Sequence, residues 1–110
     1  MDLISITSEL QSASSRLSKG SKELFQLARE FAEAERDYRR ALAVEIVKLK
    51  SEGMSVTLVP DIARGNCAEL KFQRDCAEAK YQSGRDSLKA IETQVSALQS
   101  ILRYQDEVKR

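Results

Sequence analysis

Two apolar stripes with heptad spacing, one on each side of a short interruption between Gly53 and Gly65, restrict this chain to a narrow set of folds. In the first, Leu10, Ala13, Leu17, Gly20, Leu24, Leu27, Phe31, Ala34 and Tyr38 recur at steps of three and four, and Leu42, Ile46 and Leu49 carry the stripe onward. Cys67, Leu70, Ala77, Tyr81, Gly84, Leu88, Ile91, Val95, Leu98 and Leu102 repeat the pattern in the second half. Such spacing holds apolar groups on one helix face, and when sustained over several heptads it sets helices side by side. The prediction is an all-α chain, a long antiparallel helical hairpin of coiled-coil type. It forms one domain over residues 1–110, with a helix at about 5–52, a connector at 53–65 and a return helix at about 66–106.

Each arm of roughly 45 residues would run about 65 to 70 Å and bury one seam against the other. Much apolar surface would stay wet, so a second copy is expected to cover it in a four-helix dimer. The assembly seam is expected at Leu24, Leu27, Phe31, Tyr38, Leu88, Ile91, Val95 and Leu98. An alternative architecture arises because the first arm opens weakly. Ser5, Ser8, Ser12, Ser14, Ser15, Ser18 and Ser21 compete for backbone hydrogen bonds, and Gly20 costs about 1 kcal/mol relative to Ala. A break near Gly20 would fold the first 19 residues back as the third helix of a bundle. Ser8 and Gln11 have the spacing of a capping box, a second start signal.

Gly53 supplies the stop expected after the Leu-, Ala-, Glu- and Arg-rich stretch from Ser21 to Glu52. Beyond it, Met54 to Val59 alternate with β-branched residues, the pattern of a short strand. No second strand is available for pairing within the chain, so the segment reads as an extended connector, or as a strand that pairs with another copy or a partner. Apolar residues in a connector lack an internal burial site, which makes Met54, Val56, Leu58 and Val59 the expected partner-binding residues. Pro60 permits a helical turn over Asp61 to Arg64 before Gly65 interrupts it, and Asn66 with Glu69 has the pattern of an N-cap for the return helix.

Candidates for chemistry are few. The chain has no histidine, which removes Ser-His-Asp and Cys-His arrangements and the commonest neutral-pH base. Cys67 and Cys76, nine positions apart, fall on opposite sides of one helix and read as small apolar side chains. The four glycines are isolated, so no phosphate-cradling loop exists. Glu30, Glu33 and Asp37 have helical spacing but read as a solvated face rather than a cation site. No enzymatic activity, cofactor or metal is expected.

Lys22, Arg29, Arg36 and Lys50 share one heptad position, flanked by Arg39 and Arg40, and this outward row suits contact with phosphates or an acidic partner. Glu23, Glu30 and Asp37 run beside it, with Lys80 and Arg85 of the return arm as expected partners. Charged residues are 32 % of the chain but sum to +1, and no base-stacking aromatics accompany the row, so nucleic-acid binding is the second reading behind protein binding. Tyr38 and Tyr81 are expected at similar heights on facing arms, and Tyr104, with Ile101 and Leu102, in a terminal contact. The start carries Asp2 where a secretory signal needs basic residues, and no run of 18 apolar residues spans a membrane. The expected location is therefore the cytoplasm.

The stretch from Glu52 to Tyr81, with Gly53, Val56, Thr57, Pro60-Asp61-Ile62-Ala63-Arg64-Gly65, Leu70-Lys71-Phe72 and Ala77-Glu78-Ala79-Lys80-Tyr81, resembles small uncharacterised helical-hairpin proteins of bacteriophages and prophages. That resemblance implies a phage accessory protein in a bacterial host, binding a host or phage protein, as an inhibitor in one version and as a replication or recombination accessory on nucleic acid in another. The helical-hairpin substrates of type VII secretion share the size, but this chain has no Trp for their Trp-x-Gly turn.

Overall fold

The computed structural model describes residues 2–109, and the described residues are all-α: α1 spans Leu3–Ser51, α2 Val59–Asn66 and α3 Ala68–Lys109. They divide into two compact units. One takes the chain up to Gln26 and from Gln82 onward; the other is Leu27–Tyr81. No helix among the described residues is long and apolar enough to cross a membrane.

α1 begins earlier than the Ser8 signal suggests, because Asp2 caps it. The Ser5 N–H donates to Asp2 Oδ1 at 2.7 Å and the Ile6 N–H to the Asp2 carbonyl at 3.1 Å. The bond from Ser5 holds the Asp2 carboxyl below the usual carboxylate range. The helix then runs through Gly20 without a break, so the bundle broken at that residue does not form. Two features mark its course through the weak stretch. Hydroxyls are returned to the helix's own carbonyls, Thr7 Oγ1 to Leu3 and Ser21 Oγ to Leu17, both at 2.8 Å. Gly20 also makes room for a neighbour: a Cβ built there would lie 2.6 Å from Leu88 Cδ2.

Within this first unit the two helices are antiparallel, since Arg16 Nη1 reaches Gln94 Oε1 at 3.5 Å while Gly20, one turn on, meets Leu88, two turns back. Ile6, Ala13 and Leu98 are buried, and Leu24, Leu88, Ile91 and Val95 are half-buried. These seam positions lie where heptad spacing places them, between arms of a single chain.

The second unit corrects the connector. At the end of α1, Gly53 adopts φ +85°, its N–H donates to Lys50 and the Met54 N–H donates back to Leu49. This is the Schellman arrangement, in which the second residue past the helix makes an apolar contact with its last turn. Met54 does so, packing against a cluster of Leu49, Val59 and Ala63 with Leu42 and Ile46. The expected extended segment, or strand, is instead a turn followed by α2. Ser55 accepts the N–H groups of Leu58 and Val59, and Pro60 sits in the first turn, where its missing N–H goes unused. Burial of Val59, Ala63 and Cys67, at i, i+4 and i+8, outweighs the alternating pattern. Gly65 lies inside α2 rather than interrupting it, and Asn66 ends α2 rather than capping α3; its amide donates to Glu45 Oε1 at 2.7 Å.

This early turn also resets the register. Tyr81 stacks on Phe31, ring centroids 6.2 Å apart, and not opposite Tyr38, which is buried elsewhere on the seam. Chain expected to lie in a connector packs back along α1 as α2, so each residue of the return arm meets an earlier residue of α1.

Candidate interaction surfaces

The turn and α2 separate the four residues expected to bind a partner. Val59 is 1 % exposed and Met54 is half-buried, both engaged in the core of the second unit. Val56 and Leu58 face outward, 73 % and 54 % exposed, and Ile62, one helical turn after Leu58, joins them at 37 %. Ile62 was missed because the helical turn was read as starting only at Asp61; Leu58 and Ile62, i and i+4 across the start of α2, were the available signal.

The basic row is exposed, but half of it is already engaged along its own helix. Arg29 pairs with Glu33 at 3.0 Å, Arg36 with Asp37 at 3.1 Å and Arg39 with Glu35 at 2.7 Å. Lys22, Arg40 and Lys50 are exposed. Asp37 therefore serves its neighbour rather than the return arm.

Glu35 does cross between arms in the second unit, receiving Arg74 of α3 as well as Arg39. Arg74 also reaches Asp75 at 2.9 Å and Glu78 at 3.4 Å, and its guanidinium lies 5.6 Å from the centre of the Phe31 ring. Lys71 closes the group on Asp75 at 2.9 Å. Arg39, then Arg74, hold the Glu35 carboxyl below its ordinary range, and Lys71, then Arg74, do the same for Asp75. Glu35 raises Arg74 in turn, and Asp75 raises Lys71. Arg74 occupies the heptad position between Leu70 and Ala77 that the apolar stripe skips, and that gap was the readable trace of the network. A slip of the arms by one heptad would break the Glu35–Arg74 contact and leave Arg74 with the carboxylates of its own helix, so the pair favours this register.

At the far end of the first unit, Leu102 turns inward while Ile101 and Tyr104 are 38 % and 68 % exposed, so the three do not form one contact. Leu3, Tyr104, Gln105 and Val108 line a shallow groove of about 370 Å³ with Asp2. Among the described residues, no three His, Cys, Asp or Glu side chains are grouped so as to hold a metal ion. Cys67 is buried and Cys76 half-buried, and both are free thiols. Set against protein families, curated proteins and solved structures, the chain matches none.

Proposed function

We propose that the chain is a non-enzymatic protein-interaction module that associates with a second copy of itself and offers the turn and α2 to a protein of the host cell or phage, as an accessory or inhibitor. The observation that carries this reading is the division of apolar groups around the turn. Met54 and Val59 are spent on the core, whereas Val56, Leu58 and Ile62 remain exposed. Val56 lies in the turn, Leu58 at the N-terminal boundary of α2 and Ile62 within it, and the bonds from Leu58 and Val59 to the Ser55 carbonyl fix this backbone, which lowers the ordering cost of binding.

The test is affinity purification from bacterial lysate with the wild-type chain, Leu58→Asp and Val56→Asp, alongside circular dichroism of each. One protein retained by wild type and released by both variants, with helicity and unfolding midpoint unchanged, is the expected result. Equal retention by the variants, or retention of nothing, overturns the assignment of this surface. The competing nucleic-acid reading predicts binding at about 50 mM salt that Arg29→Ala, Arg36→Ala and Arg40→Ala together abolish. Pairing of three of the six cations along α1 weighs against it.

A further inference from the structure

α3 carries a second row with heptad spacing that stays exposed, although α1 borders it where Arg16 reaches Gln94 and where Leu3 lines the groove beside Tyr104 and Val108. In the first unit, the face toward α1 bears Leu88, Ile91, Val95, Leu98 and Leu102, all half-buried or buried. About 100° around the same helix, Ala90, Gln94, Ala97, Ile101, Tyr104 and Val108 follow one another at alternating steps of four and three, with no position skipped. All six are exposed, including Tyr104 at 68 % and Val108 at 66 %. A solvated face needs no such order. Unbroken 3–4 spacing with five apolar residues in six is the signature of a helix that meets another helix along that line.

We infer that this face pairs with the same face of a second copy, the two α3 helices running antiparallel about a two-fold axis level with Gln99. This rests on the self-association proposed above and names its contact surface. The occupant follows from the order of side-chain sizes. In an antiparallel pair about that axis, Ile101 meets Ala97 of the second copy, Tyr104 meets Gln94 and Val108 meets Ala90, and the two-fold repeats each pairing in reverse. Each aliphatic layer joins a large side chain to a small one, so the helices keep an even separation. A parallel pair would set Tyr104 on Tyr104 and Ala90 on Ala90, holding the helices apart at one end. In the Tyr104 layer the Gln94 amide supplies a polar partner. Its oxygen accepts from Arg16 at 3.5 Å, which leaves its NH₂ to donate to the tyrosine hydroxyl. The flanking positions are Thr93, Ser100 and Glu107, and the two-fold sets Glu107 beside Thr93 of the second copy, so no like charges meet beside the seam.

Complete burial of the exposed parts of Ile101, Tyr104 and Val108, 38 %, 68 % and 66 % of each residue, with Ala90, Ala97 and the Gln94 stem would remove on the order of 400 Å² per copy and about 800 Å² from the pair, the larger part of the roughly 1,200 Å² at which stable specific contacts begin.

Light-scattering mass of the full chain at about 10 to 100 μM tests it, with Ala97→Glu and Tyr104→Glu as the variants. Expected is twice 12.4 kDa for wild type. Each variant should be monomeric, its dissociation constant raised at least about 100-fold by burial of a charge, with helical dichroism unchanged because both positions are exposed. A wild-type dimer that survives both substitutions overturns the α3 face and leaves self-association standing, whereas a monomeric wild type sinks both. Orientation is read by oxidation of chains in which Cys67 and Cys76 are replaced by Ala. Ala97→Cys with Ile101→Cys should cross-link between copies, and a cross-link from Tyr104→Cys alone would show a parallel pair and refute the arrangement.

Discussion

Replacing Gly20 by Ala sets two effects of similar size against each other. In an exposed helix interior the change stabilises by roughly 0.5–1 kcal/mol, because Ala loses less backbone freedom on folding. At Gly20 the new Cβ would stand 2.6 Å from Leu88 Cδ2, about 1 Å inside ordinary contact, and only the end of a flexible side chain is in the way. Leu88 must then leave its rotamer or shift, at about 0.5–1.5 kcal/mol for the rotamer and up to about 3 kcal/mol if the seam is over-packed. Gly20→Ala should therefore be neutral to destabilising by about 2 kcal/mol.

Gly65 is the internal control. It is helical and a Cβ there meets nothing within 4 Å, so Gly65→Ala should stabilise by about 0.5–1 kcal/mol. The decisive experiment is a double-mutant cycle by urea unfolding, followed by dichroism at one fixed protein concentration. In a Leu88→Ala background the obstruction is gone, and Gly20→Ala should recover the full helix gain, giving a coupling of at least about 1 kcal/mol. If Gly20→Ala stabilises as much as Gly65→Ala, whatever stands at residue 88, close approach is not why α1 keeps a glycine there.

Two further outcomes follow from the second unit. The lowered carboxyls of Glu35 and Asp75 contribute stability that is complete above the ordinary carboxylate value of about 4 and is lost as pH falls through their lower folded values; the unfolding midpoint should hold from pH 7 to 5 and drop below about pH 4, less steeply in Glu35→Gln, and identical acid slopes for the two chains would refute it. Val59→Ala should destabilise by about 1.5–3 kcal/mol and Leu58→Ala by under about 0.5 kcal/mol in the same urea titration, since one side chain is buried and its neighbour exposed; equal losses would mean that α2 does not pack as described.

The helices themselves were readable because heptad spacing is a global signal: dozens of positions agree, and no single residue can overturn them. Features that depended on one or two residues were less legible where tertiary contacts decided the outcome. Gly20 left a break open as the alternative to a continuous helix, because propensity counts only what a residue does to its own helix, whereas its missing side chain accommodates Leu88. Met54 to Val59 read as an extended connector, or a strand paired with another copy, because alternation was weighed without the Schellman contact that takes Met54, or the i, i+4, i+8 burial that takes Val59. Register failed as a consequence, since which residue faces Tyr81 depends on where the chain turns, and an error of a few residues there is carried along the return arm.

Interaction surfaces were harder to read for a different reason. A heptad stripe in the sequence says that a helix has a partner along that line, not which partner, and the strongest stripe on each arm is consumed by the other arm of the same chain. Leu24, Leu88, Ile91 and Val95 look like assembly residues until the antiparallel packing within the first unit accounts for them. Once that seam is subtracted, the weaker stripe from Ala90 to Val108 remains exposed. Two alanines and a glutamine among its six members had hidden it, because small and polar residues lower its hydrophobic signal. The same alanines are what would let a second α3 approach closely. An interface built from large residues facing small ones is thus fainter in sequence than one built from leucines, and it becomes visible only after the structure shows which apolar positions are already spent.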